Sequence, residues 1–82
     1  MKKKEILEML NGIISERGVP RNIKTSIEES MMLLNNSGHE EEKIANIVFV
    51  LDEASNDPNV LTHTRTQIWN AISFLESMKK HD

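Results

Sequence analysis

Eighty-two residues with a formal net charge of −3 make one domain, close to the lower size limit for folding without staples. The absence of cysteine excludes disulfides, thiolate metal sites and cysteine nucleophiles. The acidic balance weighs against broad nucleic-acid binding, which needs a basic surplus, and no apolar run reaches membrane-spanning length.

Hydrophobic residues make up 38% of the chain, but only Phe49, Trp69 and Phe74 are aromatic. The core must therefore be built from Ile, Leu, Val and Met. The Lys2-Lys3-Lys4 start has the charge of a leader peptide, but Glu5 and Glu8 interrupt the residues next to it. The expected location is the cytoplasm.

Four helical segments succeed one another. In residues 2–17, Ile6, Met9, Leu10 and Ile13 fall on one helix face, widened by Leu7 and Ile14. Gly18 suits the left-handed conformation that ends a helix. Pro20 fits the first position of a second helix over 20–35, where its missing N–H costs nothing. Ile23, Ile27, Met31 and Leu34 line that helix, and Asn35-Asn36-Ser37-Gly38 ends it. Ser37 with Glu40 matches a capping box, and Glu40-Glu41-Glu42 suits the positive end of a third helix over 39–56. Its stripe is Ile44, Ile47, Val48 and Leu51. The run 47–51 has strand composition too, but no second strand exists to pair with it. After Asn56-Asp57-Pro58-Asn59, a fourth helix covers about 61–80, with Thr64, Ile68, Ala71, Ile72 and Leu75 on one face. Lys79 and Lys80 suit its negative end.

A shift of 41 residues lays the chain on itself. Ile6 meets Ile47, Leu10 meets Leu51, Val19 meets Val60, Ile27 meets Ile68 and Leu34 meets Leu75. Lys24 meets Arg65, Thr25 meets Thr66, and Gly18 falls on Asn59, another residue tolerant of positive φ. The expected fold is all-α: two helical hairpins, each too small to bury its own apolar face, packed as a bundle or a short repeat stack.

Val19-Pro20-Arg21-Asn22-Ile23 forms a first motif. Leu51-Asp52-Glu53, then Ser55 to Asn59, His63 to Thr66, and Ile68-Trp69-Asn70 form a second, longer one. Over nearly the whole chain these resemble a small archaeal family, uncharacterised protein family 0147. That family's pattern carries Pro where Leu61 stands, which would loosen the start of the fourth helix here. It carries an apolar residue where Gln67 stands, which argues against burial at that position. The resemblance implies a cytoplasmic, all-helical protein. It implies no activity, so no catalytic residue is carried over.

Two surfaces are candidates for function. Arg21, Lys24 and Arg65, with His63 beside them, lie in the first turns of the second and fourth helices. Helix starts offer free N–H groups, so with these cations they would make an anion site for a phosphate, an acidic peptide or an RNA backbone. The plainer reading is that the cations pair with Asp57, Glu16 or Glu28. Phe49, Trp69, Phe74 and Met32 stand off the main stripes. Either wide stripes carry all of them into one core, or they form a second apolar surface that meets another copy or another protein.

No metal is expected, since His63 with Asp57 or Asp52 falls short of the three or four converging ligands a site needs, and His39 and His81 lie elsewhere. No cofactor is expected: there is no glycine-rich phosphate loop. The serines lack a nucleophile-elbow context, and the glutamate runs do not face one another on a helix. The expectation is a non-catalytic helical interaction module, self-associating, with an accessory RNA-binding protein as the alternative.

Overall fold

A computed structural model describes residues 2–36 and 38–79. It holds four helices: α1 (Lys3–Ile14), α2 (Arg21–Leu33), α3 (Glu40–Ser55) and α4 (Thr62–Lys79). Among the described residues there is no strand, and 47–51 is helical. Each successive pair is joined by six residues. Links this short make sequential helices antiparallel neighbours.

The helices close into a ring. α1 packs on α2 and α4, and α3 packs on α2 and α4, while neither diagonal pair approaches. A stack of hairpins would not return its last helix to its first, so the contact between α1 and α4 makes this a four-helix bundle. The stripes read from the sequence fill its centre. Ile6, Leu10, Ile27, Ile47, Leu51, Ile68 and Leu75 are all fully buried or nearly so.

Seven pairs of positions 41 residues apart are buried together, whereas Val19 and Val60, and Ile14 and Ser55, differ in burial. Ile6, Leu10, Ile13, Ile23, Ile27, Ser30 and Leu34 are buried, and so are Ile47, Leu51, Ala54, Thr64, Ile68, Ala71 and Leu75. The polar members are treated differently. Ser30 Oγ donates to Asn46 Oδ1 at 3.1 Å, tying α2 to α3. Thr64 Oγ1 is buried and has no partner among the described residues.

Several helix ends differ from expectation. α1 leaves the regular ladder at Ile14, and the chain tightens as Glu16 N–H bonds Ile13 O at 3.2 Å. Gly18 still makes the reversal, at φ +82°, but beyond the end of the helix rather than at it. Asn59 does not share that conformation, since no described non-glycine residue has positive φ. Pro20 is the cap of α2 rather than its first residue: its ψ of 145° is extended, yet its carbonyl accepts the N–H of Lys24. His39 plays that part for α3, so Glu40 is the first helical residue and not the third, as a capping box requires. Ser37, Lys80 and His81 lie outside the described residues.

Candidate interaction surface

The C-terminal ends of α1 and α3 and the starts of α2 and α4 share one end of the bundle. His63 Nε2 lies 2.8 Å from Glu16 Oε1, linking α4 to the chain just past α1. Gln67 Nε2 reaches Glu16 Oε2 at 3.5 Å. Gln67 is half-buried, because α1 covers that side of α4. Leu61, where the family pattern has Pro, is exposed, and α4 begins one residue later.

Arg65 is turned away from solvent and into the backbone. Its Nε donates to Ser55 O at 2.8 Å, and its Nη2 donates to Asp57 O at 2.9 Å and Val60 O at 3.1 Å. Ser55 is the last residue of α3, so its carbonyl lacks an intrahelical partner. The guanidinium fork satisfies that carbonyl and the one of Val60, adds a second donor to Asp57 O, which also accepts the N–H of Val60, and places a cation at the negative helix end. Asp57 Oδ1 accepts the N–H of Asn59 at 2.8 Å, completing a short turn under the same fork. Among the sequence candidates for an anion site, then, Arg65 and His63 already have protein partners. Arg21 and Lys24 are exposed and unpaired among the described residues.

The cleft at this end has a different lining. Its volume is about 260 Å³, and Asn22 and Ser26 of α2 face Glu53, Asn56 and Asp57 across it, over Ile23, Val50, Ala54 and Pro58. Arg21 and Lys24 do not line it. Among the described residues no three His, Asp or Glu side chains gather into a metal-binding group.

The apolar residues set off the stripes separate into three places. Phe74 is half-buried, and Lys2 Nζ lies 6.0 Å from its ring centroid, so it belongs to the seam of α1 and α4. Met32 is 68% exposed and edges a broad groove between α1 and α2 with Leu7, Ile14 and Met31. Phe49 is 62% exposed and Trp69 55% exposed. Both lie on the solvent-facing sides of α3 and α4, which pack on each other. Phe49 is two residues from both Ile47 and Leu51, some 200° around the helix from the buried stripe. Ser55 and Arg65 mark a common level through their hydrogen bond. Phe49 is six residues back along α3 and Trp69 four residues on along α4, about 9 Å and about 6 Å from that level. By this count the two backbone positions lie within one helical turn of each other in height.

The family model for uncharacterised protein family UPF0147 matches residues 1–78. The chain belongs to this family. A UPF0147 protein of Methanothermobacter thermautotrophicus is 40% identical over 76 residues, covering 92% of this chain and 74% of that protein. One from Methanocaldococcus jannaschii is 43% identical over 77 residues, covering 93% and 83%. Among solved structures, a UPF0147 protein from Thermoplasma acidophilum is similar with a TM-score of 0.81 at 30% identity, covering 92% of this chain and 89% of that one. A protein of unknown function, MMP1188, has a TM-score of 0.81 at 39% identity, covering 93% and 88%. The UPF0147 resemblance read from the two motifs thus holds, and with it the all-helical fold. No helix among the described residues is long and apolar enough to cross a membrane.

Proposed function

We propose that this UPF0147 protein is a non-catalytic interaction module of the cytoplasm, which offers the outer face of α3 and α4 to a protein partner. The observation that carries this is the exposure of Phe49 and Trp69 on two adjacent helices, at similar heights by the helical rise. Water covers two large aromatic surfaces there that the core does not use, and aromatic rings of this kind are the usual anchors of protein interfaces. The same reading takes the two halves as related hairpins, with matching buried registers and unlike outer faces. Self-association would use the other apolar surface, the groove of Leu7, Met31 and Met32 on α1 and α2.

The RNA-binding alternative rests on Arg21 and Lys24, the exposed and unpaired cations at the start of α2. A pull-down from an archaeal extract separates the readings, run with and without nuclease and with wild type beside the F49S/W69S double variant. The interaction reading expects proteins held by wild type, lost with the double variant and indifferent to nuclease. For a purified partner, W69A should weaken binding by about 2 kcal/mol or more, as central aromatic anchors do. Retention of the same proteins by the double variant refutes it, and release by nuclease favours the RNA reading.

A further inference from the structure

Charge along the chain is not evenly spread. Residues 1–36 hold six Lys and Arg against five Asp and Glu, whereas residues 40–76 hold seven Asp and Glu against Lys43 and Arg65. Neither of those two cations is available on the outer face. Lys43 Nζ donates to Asn36 O, and Arg65 is held by its three carbonyls.

Carboxylates without an ion pair among the described residues flank Phe49 and Trp69 along α3 and α4. Asp52 is one turn on from Phe49; Glu53, one turn on, and Glu42, two turns back, stand on the flank of α3 towards α2, where they border clefts with that helix. Glu76 is two turns on from Trp69. All four are exposed, and none forms an ion pair among the described residues. Neighbouring positions on this face, Ala45, Thr66 and Ser73, are small.

We propose that the outer α3–α4 face docks a basic amphipathic helix of another protein. This rests on the interaction reading of the same face and adds the chemistry of the partner. Phe49 and Trp69 would take the apolar stripe of that helix, and Glu42, Asp52, Glu53 and Glu76 would meet Lys or Arg on its flanks. A second copy seated symmetrically on this face would set carboxylates against carboxylates. A nucleic-acid backbone would meet the same repulsion.

Trp69 is the only tryptophan, so its emission reports burial of this face directly. The probe is a synthetic Leu/Lys amphipathic peptide of about five turns, roughly 18 residues, without tryptophan. A Leu/Glu peptide of the same pattern and a single-stranded RNA oligonucleotide serve as competitors of other chemistry. The expected result is a saturable blue shift with the Leu/Lys peptide alone. F49S should weaken that binding by at least about tenfold. Joint E42Q, D52N, E53Q and E76Q should weaken it severalfold and flatten its salt dependence. M32S, on the opposite side of the bundle, should leave it unchanged.

Equal binding of the Leu/Glu peptide, binding of the RNA on this face, or indifference to F49S overturns the proposal. If no peptide binds but pull-down partners still depend on Phe49 and Trp69, the face is an interface and the basic partner is wrong. If the pull-down also shows no such dependence, both readings fall.

Discussion

Replacing Arg65 by Ala tests the claim that this residue is a staple for the α3–α4 link rather than a free cation. The side chain makes three hydrogen bonds to carbonyls, at 2.8, 2.9 and 3.1 Å. A bond from a charged donor contributes on the order of 1.5–3 kcal/mol, and less where, as at Asp57 O, the acceptor keeps another N–H, here that of Val60. Arg65 is half-buried, so water can reach some of the vacated acceptors. The net loss on R65A is therefore set at about 2–3 kcal/mol. For a domain of this size that lowers Tm on the order of 10–20 °C. R65K separates fork from charge. An ammonium keeps the favourable placement at the end of α3 but cannot span three carbonyls, so it should recover less than half the loss. Urea unfolding followed by helical circular dichroism is the assay, since Trp69 lies one turn from the mutated site and its emission would change for local reasons. R65A within about 0.5 kcal/mol of wild type would refute the staple. R65K equal to wild type would reduce it to a charge at a helix end.

Three further outcomes rest on the packing. T64V removes a hydroxyl, unpartnered among the described residues, from a residue that is 1% exposed, and should raise stability by about 0.5–1.5 kcal/mol in the same unfolding assay; a loss would mean that Oγ1 bonds a carbonyl one turn back. G18A forces a side chain to φ +82° and puts a methyl 3.3 Å from Leu61 Cδ1, so it should cost about 1–2 kcal/mol. G12A, in the second half of α1 with open space around it, should instead gain about 0.5–1 kcal/mol, and the opposite signs are the test. A double-mutant cycle on His63 and Glu16 should return a coupling of only about 0.2–1 kcal/mol that shrinks with salt, because both side chains are partly exposed.

The core was legible because a helix stripe needs only the spacing of apolar residues, and Ile6, Leu10, Ile13, Ile44, Ile47 and Leu51 keep that spacing. A stripe says which side of a helix faces in, but not which helix it faces. The closed ring therefore had to come from the contact of α1 with α4. Trp69 and Phe74 show the same limit. Trp69 stands about 100° from Ile68 in one sense and Phe74 about 100° from Leu75 in the other. One is exposed and the other is half-buried, because α1 packs along Phe74's side of α4 and sets Lys2 over the ring. Angle from the stripe alone cannot separate them.

Arg65 was misleading for a different reason. Its acceptors are backbone carbonyls, which every residue carries, so no side-chain pattern marks them. A cation in the first turn of a helix opposes that helix's own dipole, which suggested an external anion. The preceding helix ends at the same level and supplies the compensating negative end. The charge segregation, by contrast, is open to reading in the sequence. A net charge of −3 combines a nearly neutral stretch over residues 1–36 and a slightly basic one over 77–82 with a strongly acidic one over 40–76. Once the bundle places Phe49 and Trp69 on the acidic side, the average ceases to describe the surface a partner meets. A weakly acidic whole gives no reason to expect a basic partner, whereas exposed aromatics flanked by carboxylates that form no ion pair among the described residues do.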